Sequence, residues 1–347
     1  MRPTPLPAAI ADEAHLETLL SEPTEQVVET LARVDGDVIV LGVGGKMGPT
    51  LARMARRAAD LAGGARRVVG VSRFTTSSHE TALHAHGVET IRCDLLDEAA
   101  VGRLPEAPNV IFMAGRKFGS TGAESLTWAM NCLVPSAICR RYAASRIVAF
   151  STGNVYGLTG LGLGGSREQD GPRPAGEYAM SCLGRERVFE HFSQTHGVRV
   201  ALLRLNYAVE MRYGILVDLA NRLLAGESID LAMGYVNVIW QADANAMALN
   251  ALAHAASPPL VVNVAGPEEL SVRQASEALA QALGRPARFA GTESPDALLS
   301  NGALGWALLG PPRVDAARLI DWTADWLARG RATSGKPTHF ESRAGQF

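Results

Sequence analysis

Gly36-Asp37-Val38-Ile39-Val40-Leu41-Gly42-Val43-Gly44-Gly45-Lys46-Met47-Gly48 is the stretch from which the chain is best read. Val38 to Leu41 is too short an apolar run for a helix and is rich in β-branched residues, which suits a strand buried on both faces of a parallel sheet. The run stops at Gly42, and Gly42, Gly45 and Gly48 fall three apart, with Gly44 as an extra member, before a helical pattern begins at Leu51, Met54 and Ala55. Strand, tight turn and helix follow one another. Such a turn lets the backbone approach a pyrophosphate and aims the free N–H groups of a helix start at the anion. Gly42, Gly44, Gly45, Lys46, Met47 and Gly48 are therefore candidate dinucleotide-binding residues, set against the plainer reading of a β-α turn that holds nothing.

Working outward, the alternation repeats. Residues 68–71, 89–92, 109–113, 146–150 and 198–204 read as further short strands, with helical patterns between them and another strand at 261–264. The expectation is an α/β fold, a Rossmann-type doubly wound parallel sheet whose ligands sit at the carboxyl ends of the strands, with a smaller C-terminal substrate-binding domain. Residues 1–205 and 236–265 are assigned to the nucleotide domain, with an extra N-terminal helix at 10–33. Residues 206–235 and 266–331 fall to the substrate side, and a polar tail at 332–347 is expected to fray.

The strand ends supply the remaining candidates. Ser72 and Arg73 stand after the second strand, where an acidic residue would bind the adenosine ribose of NAD and an arginine can pair with the extra phosphate of NADP; NADP is favoured over NAD. Asp94 and Leu95 end the third strand, and Met113, Ala114 and Gly115 end the fourth, with Lys117 just beyond. Ser151 and Thr152 end the fifth.

Bulk properties narrow the function. The chain has 347 residues, 47% of them hydrophobic, and a net charge of −2, so it carries no electrostatic case for nucleic acid or an anionic membrane surface. Cys93, Cys132, Cys139 and Cys182 show no metal-ligand spacing and read as reduced thiols of a cytoplasmic protein, and no run approaches a membrane span. No signal peptide is read at the N-terminus, and no metal is expected. Only three of the 33 basic residues are lysines, Lys46, Lys117 and Lys336, so each can be weighed singly.

Taken together, the glycine turn, Asp94-Leu95, Asn131, residues 150–157, Tyr178 to Glu186, Arg204-Leu205-Asn206, residues 238–243 and residues 263–266 resemble the extended short-chain dehydrogenase/reductase superfamily, in its NAD-dependent epimerase/dehydratase group. The resemblance covers most of the chain, from 38 to 284. It implies hydride transfer between a substrate carbinol carbon and a nicotinamide, commonly on nucleotide sugars. It makes Tyr178 the acid/base, with Thr152 and the adjacent Ser151 sharing its hydrogen bond, and puts Asn131 and Asn206 beside the cofactor. A phenol with pKa near ~10 is a poor base at neutral pH and needs a cation close by. The resemblance puts a lysine four residues after the tyrosine; here that position is Cys182.

Three readings stay open. Lys117 is the candidate replacement cation, and Arg185 is set aside as lying nearly two turns along the helix, facing away. Alternatively the protein binds a dinucleotide without turnover, as a sensor or interaction module. In the third, a different base acts and Tyr178 is a helix-start aromatic. The resemblance further places an Asp-Glu pair after the threonine of 4,6-dehydratases, where this chain has Gly153 and Asn154, so dehydration is disfavoured against epimerisation or simple oxidoreduction. Arg204, Asn206, Tyr207, Arg212 and Asn237 fall where the family reads its substrate, and paired arginines would suit an anionic one. The resemblance also implies a homodimer through helices at 123–144 and 178–195, with Met130, Leu133, Phe189 and Phe192 serving either that contact or, equally, the core.

Overall fold

The computed structural model describes residues 5–117 and 122–345. Seven parallel strands form the main sheet: β1 (Val38–Leu41), β2 (Val68–Ser72), β3 (Glu89–Arg92), β4 (Asn109–Phe112), β5 (Arg146–Thr152), β6 (Arg199–Leu205) and β7 (Leu260–Val264). Their order is β7-β6-β5-β4-β1-β2-β3. The chain starts in the middle, winds outward through β2 and β3, then returns to lay β4 on the other side of β1. That reversal opens a crevice at the carboxyl ends of β1 and β4, the position at which open α/β sheets bind ligands.

Burial on both faces accounts for the unbroken apolar run of β1. Val38 and Val40 join the cluster that contains Leu51, Met54 and Ala55 of the helix Gly48–Leu61. Ile39 and Leu41 point the other way, toward Val110, Phe112, Ile138 and Phe189. Phe112 and Phe189 meet edge to face, their centroids 5.5 Å apart. Trp240, 1% exposed, packs in the same manner on Trp322 and belongs to the core. All four cysteines are free.

Three elements differ from the sequence expectation. The N-terminal piece is two helices, Glu13–Leu20 and Glu25–Arg33, because Ser21 and Pro23 break it and the Thr24 hydroxyl caps the second by accepting from the Val27 N–H. The helical pattern near 123–144 is interrupted: a π-helical turn, Ala129–Leu133, separates the helices Glu124–Trp128 and Val134–Arg141, and Asn131 sits inside it. The C-terminal tail is packed, not frayed. Phe340 and Thr338 are 1% and 3% exposed, and Asp218 accepts from both the Thr338 N–H and its hydroxyl at 2.8 and 2.6 Å. Arg222 pairs with Glu341, and Arg343 donates to the Ala232 and Asp296 carbonyls. Of that tail, 346 and 347 lie outside the described residues. Among the described residues no helix is long and apolar enough to cross a membrane.

Candidate active site

Each glycine of the turn has its own physical reason. Gly42 adopts a φ of +91°, and a Cβ there would stand 2.7 Å from the Ala114 nitrogen; at Gly48 it would meet the Val43 carbonyl oxygen at 2.3 Å. Gly44 packs on Ser72, whose Oγ would be 2.6 Å from an added Cβ. Gly45 differs, since a Cβ there would meet nothing closer than the Gly42 carbonyl oxygen at 3.4 Å. Internal packing does not demand that glycine, and its lack of a side chain leaves the outer side of the turn clear for a ligand. The helix that follows has no side-chain cap at Met47, so its first N–H groups are available to an anion. These features fit a diphosphate.

Beyond the turn, one cavity of about 180 Å³ is lined by Lys46, Met47, Lys117, Ser151, Thr152, Asn154, Tyr178, Asn206 and Tyr207, among others. It therefore brings together the end of β5, the start of the helix Gly176–His196 and the glycine turn. A second cavity of about 860 Å³ adjoins it, lined by Gly44, Gly45, Lys46, Arg53, His79 and Tyr213 and by Ser334 and Lys336 of the tail. Lys46 and Tyr213 line both, with the Lys46 Nζ 3.0 Å from the Tyr213 ring centroid. The tail's Thr338 lines the first. Together the two spaces are of the size that small-molecule sites occupy.

The acid/base candidates meet at the inner end. The Tyr178 hydroxyl lies within hydrogen-bonding reach of Thr152 and Cys182. Thr152 Oγ1 accepts from the Asn154 N–H at 3.2 Å and from its side-chain amide at 2.9 Å, so its own proton is left to donate toward the phenol. Burial pushes the Tyr178 phenol well above its ordinary value, whereas Arg185 and the Thr152 hydrogen bond pull it down. Burial likewise raises the Cys182 thiol, which is fully buried. The Lys117 Nζ stands 5.7 Å from the Tyr178 ring centroid, and burial lowers its pKa to about 8. Lys46 is lowered to about 7 by burial and by repulsion from Lys336 and Lys117. The chain's three lysines thus share one electrostatic neighbourhood.

Other candidates divide by what surrounds them. Ser151 donates to Glu186, which in turn accepts from Arg204 Nε and Nη2 at 3.0 and 2.7 Å. Arg204 is 5% exposed and stacks on Tyr156 at 4.6 Å, so it is a structural cation with its charge already matched, not a substrate anchor. Arg212 is taken by Glu13, Glu17 and Glu210. Asn237 is tied to Asn206 and to the Gly266 and Ser300 carbonyls. Asn206 nevertheless lines the first cavity. Arg73 is exposed at the end of β2; Asp94 caps a turn by accepting from the Leu96 N–H, and Leu95 is buried. Met113, Ala114 and Gly115 follow β4 at the crevice, and a Cβ on Gly115 would strike Arg185 and Asn131.

Arg185 is the correction that matters most. Seven residues turn a helix through about 700°, within about 20° of two full turns, so Arg185 faces the same way as Tyr178 and not away from it. It is 5% exposed and donates to the Phe150 carbonyl at 2.7 Å and to Asn131 Oδ1. Of the dimer candidates, Phe189 is fully buried in the core, while Leu133 is 64% exposed; Leu126, Trp128 and Met180, on the same helical segments, are each about two-fifths exposed. Among the described residues no group of His, Cys, Asp and Glu is arranged to hold a metal.

The model of the NAD dependent epimerase/dehydratase family matches residues 38–232, more than half of the chain. A comparison with curated protein sequences found no match. Solved structures that resemble the chain include the dTDP-glucose 4,6-dehydratase DesIV from Streptomyces venezuelae with NAD bound, 20% identical over 84% of this chain and 97% of that one, with a TM-score of 0.71. The UDP-glucose 4-epimerase of Thermotoga maritima with UDP-glucose is 16% identical over 85% and 99%, TM-score 0.69. The UDP-glucuronic acid 4-epimerase of Bacillus cereus in complex with NAD is 18% identical over 84% and 97%, also with a TM-score of 0.69. At such identities these likenesses speak for the fold, and the family match speaks for descent: the chain belongs to the NAD dependent epimerase/dehydratase family.

Proposed function

We propose that this protein is an NAD(P)-dependent oxidoreductase or epimerase acting at a carbinol carbon of a sugar or nucleotide-sugar-like substrate. The observation that carries the reading is the convergence of the Tyr178 and Thr152 hydroxyls with Lys117 in one cavity that also reaches Met47 of the glycine turn. The glycine turn and the uncapped helix start would hold the diphosphate, and the ends of β4 and β5 would flank the nicotinamide. Bound there, the dinucleotide supplies a hydride acceptor or donor. Tyr178 handles the proton: it gives one to a carbonyl oxygen during reduction, or takes one from the hydroxyl as the carbinol carbon is oxidised. Burial favours the protonated phenol, so the resting site is set to donate. Running the reverse step needs positive charge nearby, and Lys117 is the candidate that faces the ring. Thr152, oriented by Asn154, keeps the oxygen of substrate and phenol in line.

Arg73 at the end of β2 favours NADP over NAD, although the DesIV and Bacillus cereus structures named above hold NAD. The exposed Leu126, Trp128, Leu133 and Met180 support a homodimer. One observation favours a second reading, a dinucleotide-binding protein without turnover: position 182 holds a buried, neutral thiol. The deciding experiment incubates the protein with NAD or NADP and a panel of UDP- and dTDP-hexoses, following absorbance at 340 nm and epimer formation by NMR. Turnover that is lost in Tyr178→Phe and much reduced in Thr152→Val supports the enzyme. Tight dinucleotide binding with no turnover on any sugar supports the silent reading.

A further inference from the structure

We propose that Arg185 supplies, from two helical turns along, the positive charge that position 182 lacks, so that a buried guanidinium takes over the electrostatic part of a side chain this site does without. The inference rests on the dinucleotide reading above and names the residue that makes its chemistry workable.

Tyr178, Cys182, Arg185 and Phe189 lie on one face of the helix Gly176–His196. Among the described residues the Arg185 partners are two oxygens, neither of them a carboxylate: the Phe150 carbonyl and Asn131 Oδ1. Its Nε is buried without a partner, and its charge sits 5.6 Å from the Phe112 ring centroid. By contrast, the buried Arg204 is neutralised by Glu186 and the half-buried Arg212 by three glutamates. A full positive charge is costly to bury without an anion, so the fold retains an unbalanced field at this point.

That field connects to the phenol through a continuous set of contacts. Asn131, placed by the π-helical turn, accepts from Arg185 and donates to Ser181 Oγ at 2.8 Å and toward Cys182 Sγ at 3.9 Å. Cys182 in turn meets the Tyr178 hydroxyl. The missing Cβ of Gly115 is what admits the guanidinium, since an added one would lie 2.3 Å from its Nη2. Gly115 follows β4, so Arg185 lies directly beneath the backbone on which the nicotinamide end would rest. Arg185 lines neither of the two cavities, so it is a positioning residue that would act on a bound dinucleotide electrostatically.

A positive charge in that place has a signature that packing alone does not produce. It disfavours the cationic oxidised nicotinamide relative to the neutral reduced one. The test is therefore the ratio of dissociation constants, NAD over NADH and NADP over NADPH, measured by calorimetry on the full chain. Arg185→Met removes the charge, Asn131→Asp neutralises it in place, and Arg185→Lys keeps it. The ratio is expected to fall about tenfold in the first two, the effect of a unit charge at roughly 10 Å through an effective dielectric near 20, and to hold in the third. If Arg185→Met does not fold, Asn131→Asp carries the same comparison. Intact binding with an unchanged ratio in the neutralised variants overturns the role of Arg185 and leaves the dinucleotide reading standing. Absence of binding by the unmodified protein overturns that reading and the inference with it.

Discussion

The assignment of Arg204 to structure, and not to substrate, can be tested by a double-mutant cycle with Glu186. Both side chains are almost wholly buried, at 6% and 2%, and joined by two hydrogen bonds. Arg204→Met strips the carboxylate of its cation and leaves Ser151 as its remaining partner among the described residues. Breaking a buried pair in this way costs about 3–5 kcal/mol. Replacing both members, as Glu186→Leu with Arg204→Met, removes the stranded charge and should recover most of that loss, giving a coupling of roughly 2–3 kcal/mol. The deficit of the single variant also has a pH signature. An unpaired buried carboxylate has its pKa raised in the folded state, so stability falls as pH rises through the folded pKa, and Arg204→Met should be worse at pH 8 than at pH 5. Urea unfolding followed by tryptophan fluorescence and by circular dichroism gives these numbers, provided the two transitions coincide. A cost below about 1 kcal/mol, with no difference between the two pH values, would refute the reasoning and return Arg204 to the list of substrate anchors.

Three further outcomes are expected. Lys117 has its pKa lowered to about 8, so the unfolded chain binds the extra proton between there and the ordinary value of 10.5; stability should rise with pH across that window, and the rise should shrink in Lys117→Met, read as urea midpoints at pH 7.5 and 9.5. Phe340→Ala should cost about 3 kcal/mol and speed hydrogen exchange over 332–345, because that ring is the tail's apolar anchor; unchanged protection would mean the tail is held otherwise. The chain should run as a dimer in light scattering, and Leu133→Arg as a monomer with an unchanged circular dichroism spectrum; a monomeric parent would discard the helical interface.

The frame of the molecule was legible because each of its signals is local. Val38–Leu41, the glycine spacing and the helical period from Leu51 sit within one short window, and the same alternation repeats at every later strand. Tyr178 and Thr152 were candidates through the family resemblance, not through any local pattern of their own. What escaped was whatever depends on a partner distant in sequence. Arg204 offers no sign of Glu186, on another element, and Arg212 none of Glu13 and Glu17. The tail is polar in composition, and only the fold reveals that Asp218 and the core receive Thr338 and Phe340. Arg185 is a different matter, since helical geometry alone places it on the Tyr178 face. Lys336 also had a usable signal: in a chain whose basic charge is nearly all arginine, its third lysine lies in the tail, which lines the same cavity as the glycine turn.

The account stands on a pyridine dinucleotide occupying the crevice above the glycine turn, and calorimetric titration of NAD, NADH, NADP and NADPH into the full chain and into Gly45→Leu tests that most directly. A Cβ at Gly45 would meet nothing closer than the Gly42 carbonyl oxygen at 3.4 Å, so the variant should fold as the parent does while its side chain fills the space over the turn. The account predicts that the unmodified protein binds at least one of the four dinucleotides and that Gly45→Leu binds none. Failure of all four to bind the parent, or equal binding by the variant, would contradict it.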